Sequence, residues 1–188
     1  MTGLDDLWFL ADEARQTAER AAHRLDAEYD DYLRWERSRT VSRARFRTLA
    51  DRVKRTGAPF GAHTVVYRSD GDLLLVRHDG VDKWVVPGGG VRDDETFREA
   101  AERELAEEAG VDAEYDGLAI CNRVAVACDD HELWGVLPVF AAEADPDATP
   151  EVRDPDDEIS AASWFSTLPA DTRDRADLQA WREKQGFA

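Results

Sequence analysis

The segment from Trp84 to Val111 restricts this chain most, because it packs a strand, a tight turn and a helix into a short space. Trp84-Val85-Val86 reads as a short strand, and Pro87-Gly88-Gly89-Gly90 ends it. Helical spacing then runs from Thr96 to Ala109, and Gly110 stands where a helix C-terminus favours glycine. The three glycines allow a sharp turn and a close approach of backbone to another group, a simple flexible loop being the plainer reading. On a helix turning about 100° per residue, Glu104, Glu107 and Glu108 fall within an arc of about 100°. Glu104 and Glu108 lie about 20° either side of Phe97 and near Ala101, on the side expected to face a sheet. The mostly polar face runs instead through Arg98, Glu99, Glu102 and Arg103. Acidic runs on helices are usually solvated faces, but this phase turns Glu104 and Glu108 toward the expected sheet side.

Period-two, β-branched patterns surround this unit. Ala62 to Arg68 and Leu73 to His78 read as strands joined through Ser69-Asp70-Gly71-Asp72, whose Asp-Gly pair signals a hairpin. Further strands are expected near Leu118 to Ala127, Leu133 to Ala142 and Ile159 to Phe165, with a turn at Asp129-Asp130. Ala144 to Asp157 is a Pro/Asp-rich loop, and Arg173 to Lys184 a terminal helix. This is a mixed α/β (α+β) pattern, several antiparallel strands around one motif-bearing helix.

Residues 1–57 differ. Apolar residues recur at helical spacing through Leu4, Leu7, Leu10, Ala14, Ala18, Ala21, Leu25, Tyr29 and Leu33. A second helical pattern runs from about Val41 to Arg55, and Thr56-Gly57-Ala58-Pro59 stops it. The expected organisation is a helical N-terminal extension over 1–57 and a catalytic domain over 58–188. The helices offer an apolar face suited to a homodimer. Between Tyr32 and Gly57 stand nine basic residues and only two acidic ones, Glu36 and Asp51. Three readings stay open for this stretch: docking on the chain's own acidic domain or a partner subunit, a lid that supplies arginine to phosphates, or a nucleic-acid contact.

That basic stretch is set in a chain of net charge −17, with 24 basic and 41 acidic residues. Such a surface repels nucleic acid and anionic membranes, so a nucleic-acid partner is not expected. The excess of aspartate with only three lysines resembles the proteins of salt-loving, halophilic archaea. Cys121 and Cys128 lack zinc-site spacing and, on one strand, would face opposite sides, so no disulfide scaffold is expected. No run approaches the roughly 18 to 20 apolar residues of a membrane span, and the acidic N-terminus is unlike a secretory signal; a cytoplasmic location is expected.

Gly89 to Val111 resembles the Nudix box: Gly, five residues, Glu95, seven residues, then Arg103-Glu104-Leu105-Ala106-Glu107-Glu108-Ala109-Gly110-Val111. Every defined position of the box is filled. The likeness covers roughly residues 60 to 166 and not the N-terminal extension. It implies a mixed β-sheet sandwiched between helices. It also implies a hydrolase in which water attacks phosphorus in a nucleoside diphosphate linked to some group X, with Mg2+ or Mn2+ as cofactor. Clustered carboxylates agree, since hard divalent cations prefer carboxylate oxygen and relieve the repulsion among them.

The resemblance makes Glu104, Glu107 and Glu108 the candidate metal ligands. Glu107 is a ligand or general base, with Glu158, Asp157 and Glu151 as alternative bases. Arg103 is expected to reach Glu99 and Glu107 one turn either side and to orient Glu107. Glu95, at the helix start, supports the loop–helix geometry. Arg77, Arg92 and Arg123, with the Gly89 backbone, are candidates to bind substrate phosphates. Trp84, Trp134 and Trp164 could stack a base, though strand aromatics are more often core. The proline expected past the box for ADP-ribose enzymes and the tyrosine expected for dinucleoside polyphosphate enzymes are absent from Val126-Ala127-Cys128-Asp129. Two rivals remain: a non-catalytic nucleotide-sensing module, which loss of box glutamates would mark, and a hydrolase of capped RNA ends, which needs a continuous basic groove.

Overall fold

The computed structural model describes residues 5–187; Leu4, placed above in the first helical pattern, lies outside them. In chain order the elements are α1 (Asp5–Glu28), β1 (Leu33–Thr40), α2 (Arg43–Thr56), β2 (Ala62–Tyr67), β3 (Leu73–His78), β4 (Lys83–Val85) and β5 (Gly88–Gly89). They continue with α3 (Phe97–Ala109), β6 (Ala113–Cys128), β7 (His131–Ala144), β8 (Ile159–Phe165) and α4 (Arg175–Gln185). One mixed sheet runs β1-β6-β7-β2-β3-β4, with β5 paired to β2 and β8 to β3. The β1–β6 and β2–β7 pairs are parallel and the rest antiparallel. Among the described residues no helix is long and apolar enough to cross a membrane.

Both N-terminal helices expected from sequence are present, but a strand separates them. The helical spacing that included Leu33 fails beyond Glu28, where Asp31 takes a left-handed backbone (φ 57°) and turns the chain. Aspartate tolerates that conformation without the glycine or proline that would have flagged a break. β1 is exposed from Arg34 to Thr40, so it carries no alternating apolar signature. Its stability comes from pairing with β6, from Leu33 beside Ile120 to Thr40 beside Ala127. The Arg37 guanidinium also meets the buried Asp177 of α4.

The apolar faces of α1 and α2 are turned inward. Leu7, Ala14 and Ala18 pack with Phe46, Leu49 and Val53 and with Val124, Val126 and Leu133 of the sheet. The face that sequence offers to a second subunit is therefore covered by the chain's own sheet, leaving Trp8 and Phe9 exposed.

Side-chain alternation along a strand then locates an opening. Ile120, Asn122, Val124 and Val126 share one face of β6. Ile120 packs under α4 beside Leu178 and Trp181, while Val124 and Val126 pack under α2. Asn122 lies between the two helices and lines a cavity. α3 covers the opposite face, Leu105 and Ala109 packing on Val66, Leu74 and Val76.

Gly57 ties these layers together. It caps α2 in a left-handed conformation (φ 89°), donates to Val53 O at 2.7 Å and accepts from Val136 N–H at 2.9 Å. A Cβ there would stand 2.5 Å from the Cβ of Ala21 in α1. Gly57→Ala combines left-handed strain with overpacking and is expected to destabilise the fold by about 2–4 kcal/mol. Thermal unfolding of the variant at a fixed salt concentration checks this, and an unchanged Tm contradicts the packing described.

Candidate active site

β2 changes partner along its length. Val66 and Tyr67 pair with Leu74 and Leu73 of β3, whereas Ala62 and His63 pair with Gly89 and Gly88 of β5. The sheet is parted where β5 replaces β3, and the carboxylates of α3 reach that gap. α3 is well fixed at both ends. Thr96 accepts from Glu99 N–H at 3.2 Å while the Glu99 carboxylate accepts from Thr96 N–H at 2.7 Å, a reciprocal cap. Gly110 closes the other end in a left-handed conformation.

Arg103 joins the helix to the loop before it. Its guanidinium donates to Glu95 at 2.6 and 2.9 Å, to Glu104 Oε1 at 2.8 Å, to Glu107 Oε2 at 3.2 Å and to the Gly90 carbonyl at 2.8 Å. The expected contact with Glu107 forms; Glu95 takes the place of Glu99, which the helix cap holds. The Arg103 guanidinium, with help from the Arg92 N–H, lowers the Glu95 carboxyl to about 2.

Glu104 and Glu108 lie against the glycine turn. Gly88 N–H donates to Glu108 Oε2 at 2.9 Å, and a Cβ on Gly89 would come within 2.6 Å of the Glu104 carboxyl. Glu108 is 8% exposed. Burial, reinforced by the charges of Glu104, Asp154 and Glu158 and opposed by the Gly88 N–H, pushes its carboxyl up to about 8. Burial also raises Glu104, against the pull of Arg103.

These two glutamates, with Gly88, Gly89 and Gly90, line a cavity of about 560 Å3 floored by Ile120, Asn122, Leu137 and Val139. Glu107 is turned away from it, drawn to Arg103 and, at 3.7 Å, to Arg92. As a result the three box glutamates do not converge. Among the described residues no group of three carboxylate, histidine or cysteine side chains is arranged to hold a metal ion.

The other residues singled out from sequence divide clearly. Gly89 lines the cavity, and so does Glu158, 3.6 Å from His78; Asp157 and Glu151 do not. Arg92 stays on the outer side of the loop with Glu95 and Glu107. Arg77 is held by Asp82 and Asp171 outside the cavity. Arg123 stacks over Trp134 at 3.8 Å in a separate groove of about 410 Å3. Trp84 packs edge-on against Phe165, and Trp164 donates to Ala148 O, so none of the three tryptophans faces the cavity. Sequence reasoning missed Asp154, His63, His78, Asn122 and Arg173, and left open whether the basic stretch reaches the site; Arg39, Arg45, Arg52 and Arg55 all line the cavity. The charge imbalance of residues 32–57 was the one available signal. Burial lowers His63 to about 4, so the imidazole beneath the glycine turn is neutral.

With this geometry in place, the comparison with known proteins is direct. The model of the NUDIX domain family matches residues 58–184. The chain belongs to the NUDIX family. A Bacillus subtilis (strain 168) relative named "Putative 8-oxo-dGTP diphosphatase" is 33% identical over 86 residues, 45% of this chain and 58% of that protein. An RNA pyrophosphohydrolase of Marinomonas sp. (strain MWYL1) is 44% identical over 48 residues, 26% of this chain and 30% of that protein. The chain thus spans little more than half of one curated relative and under a third of the other. Among solved structures, the MutT protein of Methanosarcina mazei Go1 is 22% identical with a TM-score of 0.45, covering 66% of this chain and 92% of that one. The NUDIX domain of Shewanella oneidensis NrtR complexed with ADP ribose is 18% identical with a TM-score of 0.48, covering 66% and 85%.

A divalent cation is typical of the family, and the chemistry of two of the box carboxylates suits one, though the third is turned away. Glu104 and Glu108 supply hard oxygens, and Glu108 is a buried carboxyl with a backbone N–H but, among the described residues, no cationic side chain as partner. Without metal, the fold favours protonated Glu108. Its contribution to stability is therefore full below about pH 4.5 and is lost as pH rises toward about 8. In chelator-treated protein, Glu108→Gln is expected to raise Tm at pH 8 by roughly 3–8 °C. The gap should close by pH 4.5; a variant no more stable than wild type at pH 8 refutes the burial argument.

Proposed function

We propose that the chain is a divalent-metal-dependent hydrolase that cleaves a phosphoanhydride bond in a nucleoside diphosphate-linked substrate. The observation that carries this reading is the buried Glu108 and half-buried Glu104 set against the Gly88–Gly90 backbone at the edge of a cavity. Glu104 and Glu108 are the candidate ligands of Mg2+ or Mn2+. When bound, such a cation neutralises phosphate charge and makes water a better nucleophile at neutral pH.

The chain's own residues supply the remaining parts. The glycine turn lets phosphate approach the backbone with no side chain in the way. Water attacks phosphorus, a new P–O bond forms, the bridging P–O bond breaks, and a carboxylate takes the proton. Glu158 is favoured for that last role because it lines the cavity, whereas Glu107 is engaged by Arg103 and Arg92 outside it. Arg103 is a positioning residue that fixes the helix to the loop. Residues 58–188 form the hydrolase domain in this reading, and residues 1–57 an extension whose described part, from Asp5, packs onto it. All the box glutamates are present, which favours an enzyme over a sensing module.

Turnover of nucleoside triphosphates, ADP-ribose, dinucleoside polyphosphates and nucleotide sugars, assayed with Mg2+ or Mn2+ at low and high KCl, tests the proposal. Glu104→Gln and Glu108→Gln are expected to lower kcat/KM at least about 100-fold. Glu158→Gln should lower kcat with KM little changed, and Glu107→Gln should cost less. Metal-independent turnover, or full activity in Glu108→Gln, rules the mechanism out.

A further inference from the structure

The cavity is lined by charges of both signs, Asp177 among them already held by Arg37. On one side stand Glu104 and Glu108, with Asp154 and Glu158 close enough to raise Glu108. The family's motif supplies Glu104 and Glu108 of that side, and the chain before β8 supplies Asp154 and Glu158. The other side comes from the N-terminal segment: Arg39 of β1 and Arg45, Arg52 and Arg55 of α2. One contact holds Arg52 to the turn after α2, and another sets Arg55 beside the loop that carries the glycine turn. Arg52 donates to Pro59 O at 3.5 Å, and Arg55 stands 3.4 Å from Asp93 of the loop that follows Gly90.

Acids outnumber bases 41 to 24 in this chain, so arginines have ample carboxylate to pair with. Nevertheless, among the described residues, no carboxylate lies within 4 Å of the Arg39, Arg45 or Arg52 guanidinium. Arg39 rests over the Phe60 ring at 5.1 Å, a contact that leaves its N–H edge available. Like charges gathered on one wall repel, and a ligand anion relieves the repulsion. Guanidinium forks match phosphate oxygens in a bidentate way that a point charge does not.

We propose that Arg39, Arg45, Arg52 and Arg55 form a phosphate subsite across the cavity from Glu104 and Glu108. It selects substrates with at least one phosphate beyond the two that make the scissile linkage. This deepens the hydrolase reading and rests on it for the position of that linkage. A nucleotide sugar or ADP-ribose has only the two phosphates of its anhydride and leaves the arginine wall empty. A nucleoside triphosphate, or a dinucleotide with a further phosphate on its ribose, fills both sides.

The test begins with binding, free of catalysis. Inorganic tripolyphosphate is titrated calorimetrically into chelator-treated wild type, Arg45→Ala/Arg52→Ala and, as control, Arg47→Ala, which lies on α2 outside the cavity. All three positions are exposed, and unchanged thermal unfolding confirms that the variants fold. The double variant is expected to bind at least about tenfold more weakly and the control like wild type. No binding by wild type, or equal binding by the double variant, overturns the subsite.

Turnover with Mg2+ then identifies the source of the extra phosphate. The double variant should raise KM at least about tenfold for GTP or for 2′-phosphorylated ADP-ribose, whichever the enzyme uses, and leave ADP-ribose unaffected. An equal loss on ADP-ribose overturns the selectivity. Tripolyphosphate binding without turnover of any nucleotide refutes the hydrolase reading while leaving the arginine subsite standing.

Discussion

The site depends on the Arg103 guanidinium more than on any carboxylate. α3 packs on one face of the sheet and the cavity opens on the other, so the helix glutamates are useful only if α3 and the glycine turn keep a fixed relation. Arg103 provides it by reaching the Gly90 carbonyl and Glu95 on the loop side and Glu104 and Glu107 on the helix side. The same contacts draw Glu107 away from the other two glutamates. Arginine suits the task better than lysine, because a planar fork with five donors can serve several acceptors at once. Electrostatics explains why so many acids tolerate one another here: Arg103, shared among Glu95, Glu104 and Glu107 and joined by Arg92 at Glu95 and Glu107, offsets their repulsion, and among the described residues Glu108 is the one of these four with no cationic partner.

Much of this was readable from residues alone, for identifiable reasons. The strand–turn–helix unit carries its own punctuation in Pro87, the glycines, Thr96 and Gly110, and it folds where those signals say. The phase of Glu104 and Glu108 relative to Phe97 follows from helix geometry, and both do face the gap in the sheet. What could not be read is whatever depends on the partner. β1 has no apolar alternation of its own and exists because β6 offers it a ladder. Arg77 and Arg123 were placed near the cleft by their strands, but strand membership does not say which side an ion pair or an aromatic ring will claim. Glu99 and Glu95 are both within reach of Arg103, and the helix cap decides between them.

The N-terminal segment alters what an acidic chain can accommodate. A molecule of net charge −17 opposes the approach of any anion. Within the cavity, β1 and α2 set Arg39, Arg45, Arg52 and Arg55 among the acidic groups, so the one strongly basic stretch of the sequence is turned toward the site rather than spread over the acidic exterior.

The parallel pairing of β1 with β6 also fixes an order of assembly. Leu33 meets Ile120 and Thr40 meets Ala127, contacts that a chain growing from its N-terminus cannot form until the second half of the domain has been made. Local helix formation in α1 and α2 can come early, yet Arg39 acquires its place only after this long-range closure. Arg39 is therefore seated later than the α2 arginines, and a ribosome-bound or truncated chain that stops before β6 carries the glycine turn, the glutamates and α2 without the ladder that holds β1.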